Sequence, residues 1–202
     1  MGNRAEITMG KLFYLMGKSV SGKDTIYQRL LADGKWNLKR LVIYTTRPIR
    51  NGELEGREYH FVDEDKFQQL KAEGKVIEDR GYQTIYGLWR YFTAATMDLE
   101  QDNYLGIGTL ESYRQLQTYY GKDKVCPIYV EVEDGERLKR AIAREETQAV
   151  PKYEEMCRRF LADSKDFSEE NVKMAGIERR FQNNDFNTCL LEIEKYVEAM
   201  LY

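Results

Sequence analysis

Apolar positions along this 202-residue chain fall into short solid blocks that alternate with stretches spaced at helical intervals. "LFYLM" at Leu12–Met16 is a continuous apolar run that stops at Gly17, the pattern of a strand covered on both faces. Behind it, "DTIYQRLLADG" sets Ile26, Leu30 and Leu31 on one helical face and places Gly34 where a helix C-terminus favours glycine. "LKRLVIYTT", Leu38 to Thr46, reads as a second strand. Pro48, Gly52 and Gly56 then break the pattern before a short alternating strand at Glu58–Val62. "DEDKFQQLKAEG" has acids in its first turn and Phe67 and Leu70 spaced for one face, which predicts a short helix ended by Gly74. Two short strands are expected around Lys75–Tyr82 and Thr84–Tyr91. After them come a strand in "NYLGIGT", a helix at Leu110–Tyr120 and a strand in "VCPIYVEV". A charged helix begins at Asp134 as a capped helix would, and a second follows Pro151. The chain closes with a strand in "RRFQN" and an amphipathic helix from Phe186 to Leu201.

This order predicts an α/β fold with a parallel sheet covered on both faces. The mostly β stretch is expected as a small inserted lobe at 44–92. The polar helical hairpin at 139–160 is expected as a lid, and segments 10–43, 93–138 and 161–202 as the core.

Composition narrows the class. The chain carries 31 Lys and Arg against 34 Asp and Glu, a net charge of −3. Such a balance argues against a general nucleic-acid or membrane-surface binder, so an anionic ligand must meet local basic clusters. Cys126, Cys157 and Cys189 are an odd, widely spaced set, read as reduced thiols and not as a disulfide framework or zinc site. No run of apolar residues is long enough to span a bilayer, and the opening "MGNRAEITMGK" has no apolar signal core. Met1-Gly2 lacks the Ser or Thr that a myristoylation site wants where Glu6 stands. The expectation is a soluble cytoplasmic protein, monomer or homodimer.

The chemistry begins at Gly17. "GKSVSGKDT" almost completes the phosphate-loop pattern G-x-x-x-x-G-K-[ST], with Gly17, Gly22 and Lys23 in register between a strand and a helix. The glycines let backbone N–H groups turn toward phosphate, and the lysine bridges phosphate oxygens. Ser19 and Ser21 lie inside the loop. The hydroxyl position holds Asp24 instead, with Thr25 one residue late. Further on, Arg47 and Arg50 sit three residues apart in "TTRPIRNGELEGREYHF", with Tyr59 behind them. Two guanidinium forks and a phenol suit bidentate capture of a second phosphate. His60, the only histidine, is read as a strand surface residue.

These two motifs, in this order and spacing, resemble the guanylate kinase family over nearly the whole chain from Lys11, most specifically up to Gly87. The resemblance implies a P-loop kinase fold with a monophosphate-binding lobe and a helical lid. It also implies transfer of the ATP γ-phosphoryl group to GMP or dGMP, with Mg²⁺. By the same resemblance, Arg47, Arg50 and Tyr59 bind the GMP phosphate, Glu78 accepts from guanine N1 and N2, and Tyr86 donates to the acceptor phosphate. Arg140 and Arg144 in "RLKRAIAREE" match lid arginines that reach the phosphates. Arg159 in "CRRFLAD" matches a further one, with Arg158 as the alternative, and Asn183 matches a polar residue near adenine. Several positions depart from the family. Ile43 and Leu88 stand where serines help read guanine, and Gly106 and Gly108 replace strand-end aspartates. Tyr44, Tyr82 and Gln83 are the candidates to replace the lost polar contacts. The carboxylate removed from positions 106 and 108 has a counterpart in Asp24, the expected metal contact, with capping by Asp24 and metal binding by Thr25 as the alternative. Two other functions stay open: a kinase for another nucleoside monophosphate, and a non-catalytic interaction module built on the same fold.

Overall fold

The computed structural model describes residues 10–84 and 86–202; Met1 to Met9, where the leader and myristoylation readings fall, lie outside the described residues. Five strands form the core sheet: β1 (Leu12–Met16), β2 (Lys39–Arg40), β7 (Tyr104–Ile107), β8 (Val125–Glu131) and β9 (Arg180–Gln182). Their spatial order is β2-β7-β1-β8-β9, and every pairing is parallel. All five residues of β1 are buried. Leu12, Tyr14 and Met16 pack on one face with Leu110, Tyr113 and Leu116 of helix α3 (Leu110–Tyr120). Phe13 and Leu15 pack on the other, with Ile26 and Leu30 of α1 (Lys23–Asp33) and Ile193 and Val197 of α7 (Phe186–Leu201). Alternation along one central strand therefore supplies two cores.

The lobe is a second sheet of order β4-β3-β6-β5, with β3 at Tyr44–Thr45, β4 at His60–Phe61, β5 at Val76–Thr84 and β6 at Gly87–Ala94. Phe67 and Leu70 of α2 (Glu64–Ala72) cover it against Phe92 and Ala94. Asp63 caps this helix by accepting from the Lys66 N–H.

Several sequence expectations are corrected. The strand at Leu38–Thr46 is two: β2 pairs with β7 in the core, while β3 pairs antiparallel with β6 in the lobe. The chain crosses between sheets at Leu41–Ile43, so no single strand can satisfy both sets of backbone partners. The strand at Glu58–Val62 shortens to β4. The charged helix α4 (Asp134–Glu146) begins at Asp134 as expected, with Glu133 as its cap. Helix α5 (Tyr153–Asp166) completes the hairpin, so its two helices extend beyond 139–160 at both ends. A short helix, α6 (Glu169–Met174), was not expected; Ser168 caps it.

Candidate active site

The phosphate loop joins β1 to α1, and its shape is held from below. Gly17 has φ 153°, and a Cβ there would stand 2.4 Å from the Val130 carbonyl oxygen, so only glycine fits. Gly22 has φ 87° and is packed against Asn183, whose Nδ2 donates to the Ser21 carbonyl at 2.7 Å. Val20 also lies in the left-handed region, at φ 61°, where a β-branched residue is strained. The Ser21 hydroxyl is buried under the loop with no partner among the described residues.

Above the loop, the α4–α5 hairpin closes a cavity of about 210 Å³ lined by Ser19, Val20, Lys23, Asp24, Arg137, Arg144, Glu145, Arg159 and neighbouring apolar side chains. Five sequence candidates thus meet in one place: Ser19, Lys23, Asp24, Arg144 and Arg159. Thr25 is exposed and does not line the cavity. Asp24 makes no capping hydrogen bond, since Gly22 is the N-cap and has none; its carboxylate lies 3.5 Å from Lys23 Nζ. Arg158 lines a different groove with Pro151 and Tyr153. Arg140 does not line the cavity: its Nε donates to Glu136 and its Nη2 to the Asn183 carbonyl at 3.1 Å. Asn183 accordingly braces the loop, through Ser21 on one side and Arg140 on the other.

Sequence reasoning missed a network that ties the α4–α5 hairpin to the loop. Arg137 is fully buried. It donates to the Ser19 carbonyl at 3.1 Å, to Asp134 and to Asp163 at 3.3 Å, and its guanidinium lies over the Phe160 ring. Asp163 in turn accepts from the Ser19 N–H at 2.7 Å, and Lys18 pairs with Asp134 at 3.0 Å. Both backbone groups of Ser19 are therefore held by side chains of α4 and α5. Asp134 stays ionised further into acid than usual: burial opposes this, and Lys18 and Arg137 outweigh it. Arg137 sits on the buried face of an otherwise charged helix, which is the one sequence signal it offers.

The second cluster lies on the lobe. Arg47 is 3% exposed and spends four of its five N–H donors: Nε on the Tyr91 hydroxyl, Nη1 on the Pro48 carbonyl and on Glu53, and Nη2 on Glu53. One N–H remains for an added anion. Tyr59 stacks under this guanidinium at 5.0 Å, and burial raises its phenol above the ordinary range. Arg50 is exposed, and its backbone N–H donates to the same Glu53 at 2.8 Å. Tyr86 is not brought here. It sits at the turn between β5 and β6, 77% exposed and stacked on Trp89. The phenol beside Arg47 is Tyr91, edge-on to Tyr59, which no local motif marks.

Glu78 is buried and belongs to the same sheet face, opposite Thr93 and two residues from Arg80. Leu88 pairs with Gln83, so the pleat turns it away from Glu78. Tyr44 stacks on Phe92 in the lobe core and is likewise directed elsewhere. Gly106 and Gly108 have a steric reason: Cβ atoms there would stand 2.6 Å from the Tyr14 ring and 2.1 Å from its hydroxyl. Tyr14 fills that space and bonds Ser112 at 2.8 Å. Among the described residues no three His, Cys, Asp or Glu side chains gather as a metal cage, and none of the helices is long and apolar enough to cross a membrane.

A phosphate loop covered by the basic α4–α5 hairpin, together with a second arginine cluster on the smaller sheet, agrees with the match of the guanylate kinase family model to residues 9–200. The chain belongs to the guanylate kinase family. It is 25% identical over 198 residues to the guanylate kinase of Porphyromonas gingivalis, covering 96% of this chain and 99% of that one. To the guanylate kinase of Nitrosomonas europaea it is 32% identical over 135 residues, 66% of this chain and 65% of the relative. The crystal structure of guanylate kinase from Anaplasma phagocytophilum shares the fold, with a TM-score of 0.64 and 18% identity over 96% of this chain and 87% of that chain.

Proposed function

We propose that this protein transfers the γ-phosphoryl group of ATP to GMP or dGMP, giving ADP and GDP. The observation that carries the reading is the convergence of Lys23, Arg144 and Arg159 from loop, α4 and α5 on one small cavity. Phosphoryl transfer asks the protein mainly to hold and neutralise oxygens. An oxygen of the GMP phosphate attacks the γ-phosphorus while the bond to the β–γ bridging oxygen breaks, and charge builds on that leaving oxygen. Lys23 and the loop amides take the β- and γ-oxygens, and Arg144 and Arg159 reach the transferring group from the lid. Arg140, through Asn183, keeps the loop in shape. Arg47 with its remaining N–H, Arg50, Tyr59 and Tyr91 hold the acceptor phosphate; Glu78 belongs to the base side.

Mg²⁺ normally enters such sites on the nucleotide's phosphates with one or two carboxylates. Asp24 and Glu145, the two acids that line the cavity, would hold it there, and the ion would neutralise the phosphates as a Lewis acid. We assign the acceptor lobe to 44–92, the lid to the hairpin around 139–160, and the rest to the core of a cytoplasmic enzyme acting on nucleotides without nucleic acid or membrane. Steady-state transfer from ATP to a panel of nucleoside monophosphates tests the proposal: turnover of GMP above CMP and UMP is expected, and comparable pyrimidine rates with none for GMP would overturn it.

A further inference from the structure

Glu78 is the one carboxylate on the base side of the acceptor face, yet its side chain is 1% exposed. Three donors already occupy it. Thr93 Oγ1 donates to Oε1 at 2.7 Å, Arg80 Nη2 to Oε1 at 3.4 Å, and Arg80 Nε to Oε2 at 3.1 Å. A carboxylate offers about four lone-pair directions, so one remains. Reading guanine through N1–H and N2–H₂ together takes two, and both would have to lie where Arg80 now lies.

The member of this pair that reaches open space is Arg80. It lines a cavity of about 780 Å³ between β5 and the first turns of α3, with Tyr82, Thr109 and Arg114 also on the wall, while Glu78 is absent from the lining. Its Nη1 has no acceptor among the described residues, and Nη2 keeps a second N–H. Glu78 and Thr93 fix the Nε edge of the guanidinium and leave the Nη edge as a planar two-donor fork. The acids on the wall do not compete for it in the structure: Asp79 is bound by Arg90 at 3.1 Å, and Glu111 and Asp166 make no pair with Arg80.

We propose that Arg80 is the specificity-determining residue for the acceptor base, with Glu78 its positioning residue, and that the substrate class is 6-oxopurine monophosphates. This rests on the acceptor reading given above. A two-donor guanidinium edge matches two acceptors side by side, and O6 with N7 of a 6-oxopurine is that pair. Adenine offers N7 but turns a donor, its 6-amino group, toward the fork. The 2-amino group of guanine has no reader in this arrangement, so hypoxanthine serves as well as guanine.

The test uses the unmodified protein and equilibrium titration with GMP, IMP, AMP and 7-deaza-GMP. Binding of IMP within about threefold of GMP is expected, with 7-deaza-GMP and AMP weaker by about tenfold or more, since each loses one member of a bidentate pair. The conservative Arg80→Lys variant keeps a charge beside buried Glu78 but loses the fork, and the gap between GMP and 7-deaza-GMP should shrink to within about threefold. IMP binding tenfold weaker than GMP while 7-deaza-GMP binds as GMP does would overturn the proposal, because it would return base reading to Glu78 and the N1–N2 edge. Failure of GMP itself to bind would remove the acceptor reading and this inference together, whereas the IMP result removes this inference alone.

Discussion

Arg137→Met removes a guanidinium that is fully buried and joins four groups: the Ser19 carbonyl, Asp134, Asp163 and the Phe160 ring. The methionine stem keeps most of the packing, so the loss is chiefly electrostatic. Asp134 is 48% exposed and retains Lys18, which limits its share to the scale of a surface pair, roughly 0–1 kcal/mol. Asp163 is 17% exposed and, among the described residues, retains only the Ser19 N–H. Leaving such a carboxylate without its cation approaches the ~3–5 kcal/mol cost of breaking a buried pair. The sum expected is about 3 kcal/mol, read by urea unfolding through the fluorescence of Trp36 and Trp89. Arg137→Met with Asp163→Leu leaves no stranded charge and should lie closer to the parent than the single variant does. A single variant within about 0.5 kcal/mol of the parent, the range of an uninvolved surface substitution, would refute the claim that this residue ties lid to loop. So would a double variant that is less stable than the single one.

Other consequences follow from the same contacts. Gly108→Ala puts a methyl against the Tyr14 hydroxyl and should cost about 2 kcal/mol as overpacking, whereas the same change made in a Tyr14→Val background should cost about 0.5 kcal/mol or less; thermal melts of the parent, the two single variants and the double variant decide this. The Arg47 guanidinium, opposed by partial burial and helped by the Arg50 N–H, holds the Glu53 carboxyl down to about 2. Because its folded value is depressed, the ion pair's contribution is complete above about pH 4.5, the ordinary value, and fades as pH falls toward 2. A Glu53 carboxyl carbon that titrates in the ordinary range by NMR would contradict the bidentate pair. Asp24→Asn removes one of the two cavity carboxylates without removing a cap, so half-maximal transfer should need several-fold more Mg²⁺; an unchanged magnesium titration would leave the metal to other groups.

Most of the core was legible because its signals are local. The solid apolar run of β1, the boundaries of α3 at Leu110–Tyr120 and of α7 at Phe186–Leu201 follow from periodicity and caps a few residues away. The crossing at Leu41–Ile43 was not, since β2 and β3 differ only in the strands they pair with. The candidate site divides the same way. Lys23, Arg47 and Arg144 belong to contiguous motifs. Tyr91 reaches Arg47 from 44 residues away, Asp163 reaches Ser19 from 144, and Tyr14 covers Gly106 and Gly108 from another strand. Arg80 sits two residues from Glu78 in plain view, but its meaning depends on which of the two faces the cavity, a matter of burial and not of spacing.

The central claim, that the loop, lid and lobe transfer a phosphoryl group from ATP to GMP, is tested most directly by ³¹P NMR of the purified chain with ATP, GMP and Mg²⁺. Equimolar appearance of ADP and GDP, abolished by Lys23→Met in a variant that still melts cooperatively, is the expected result. Consumption of ATP without GDP, or equal GDP formation by the Lys23 variant, would contradict it.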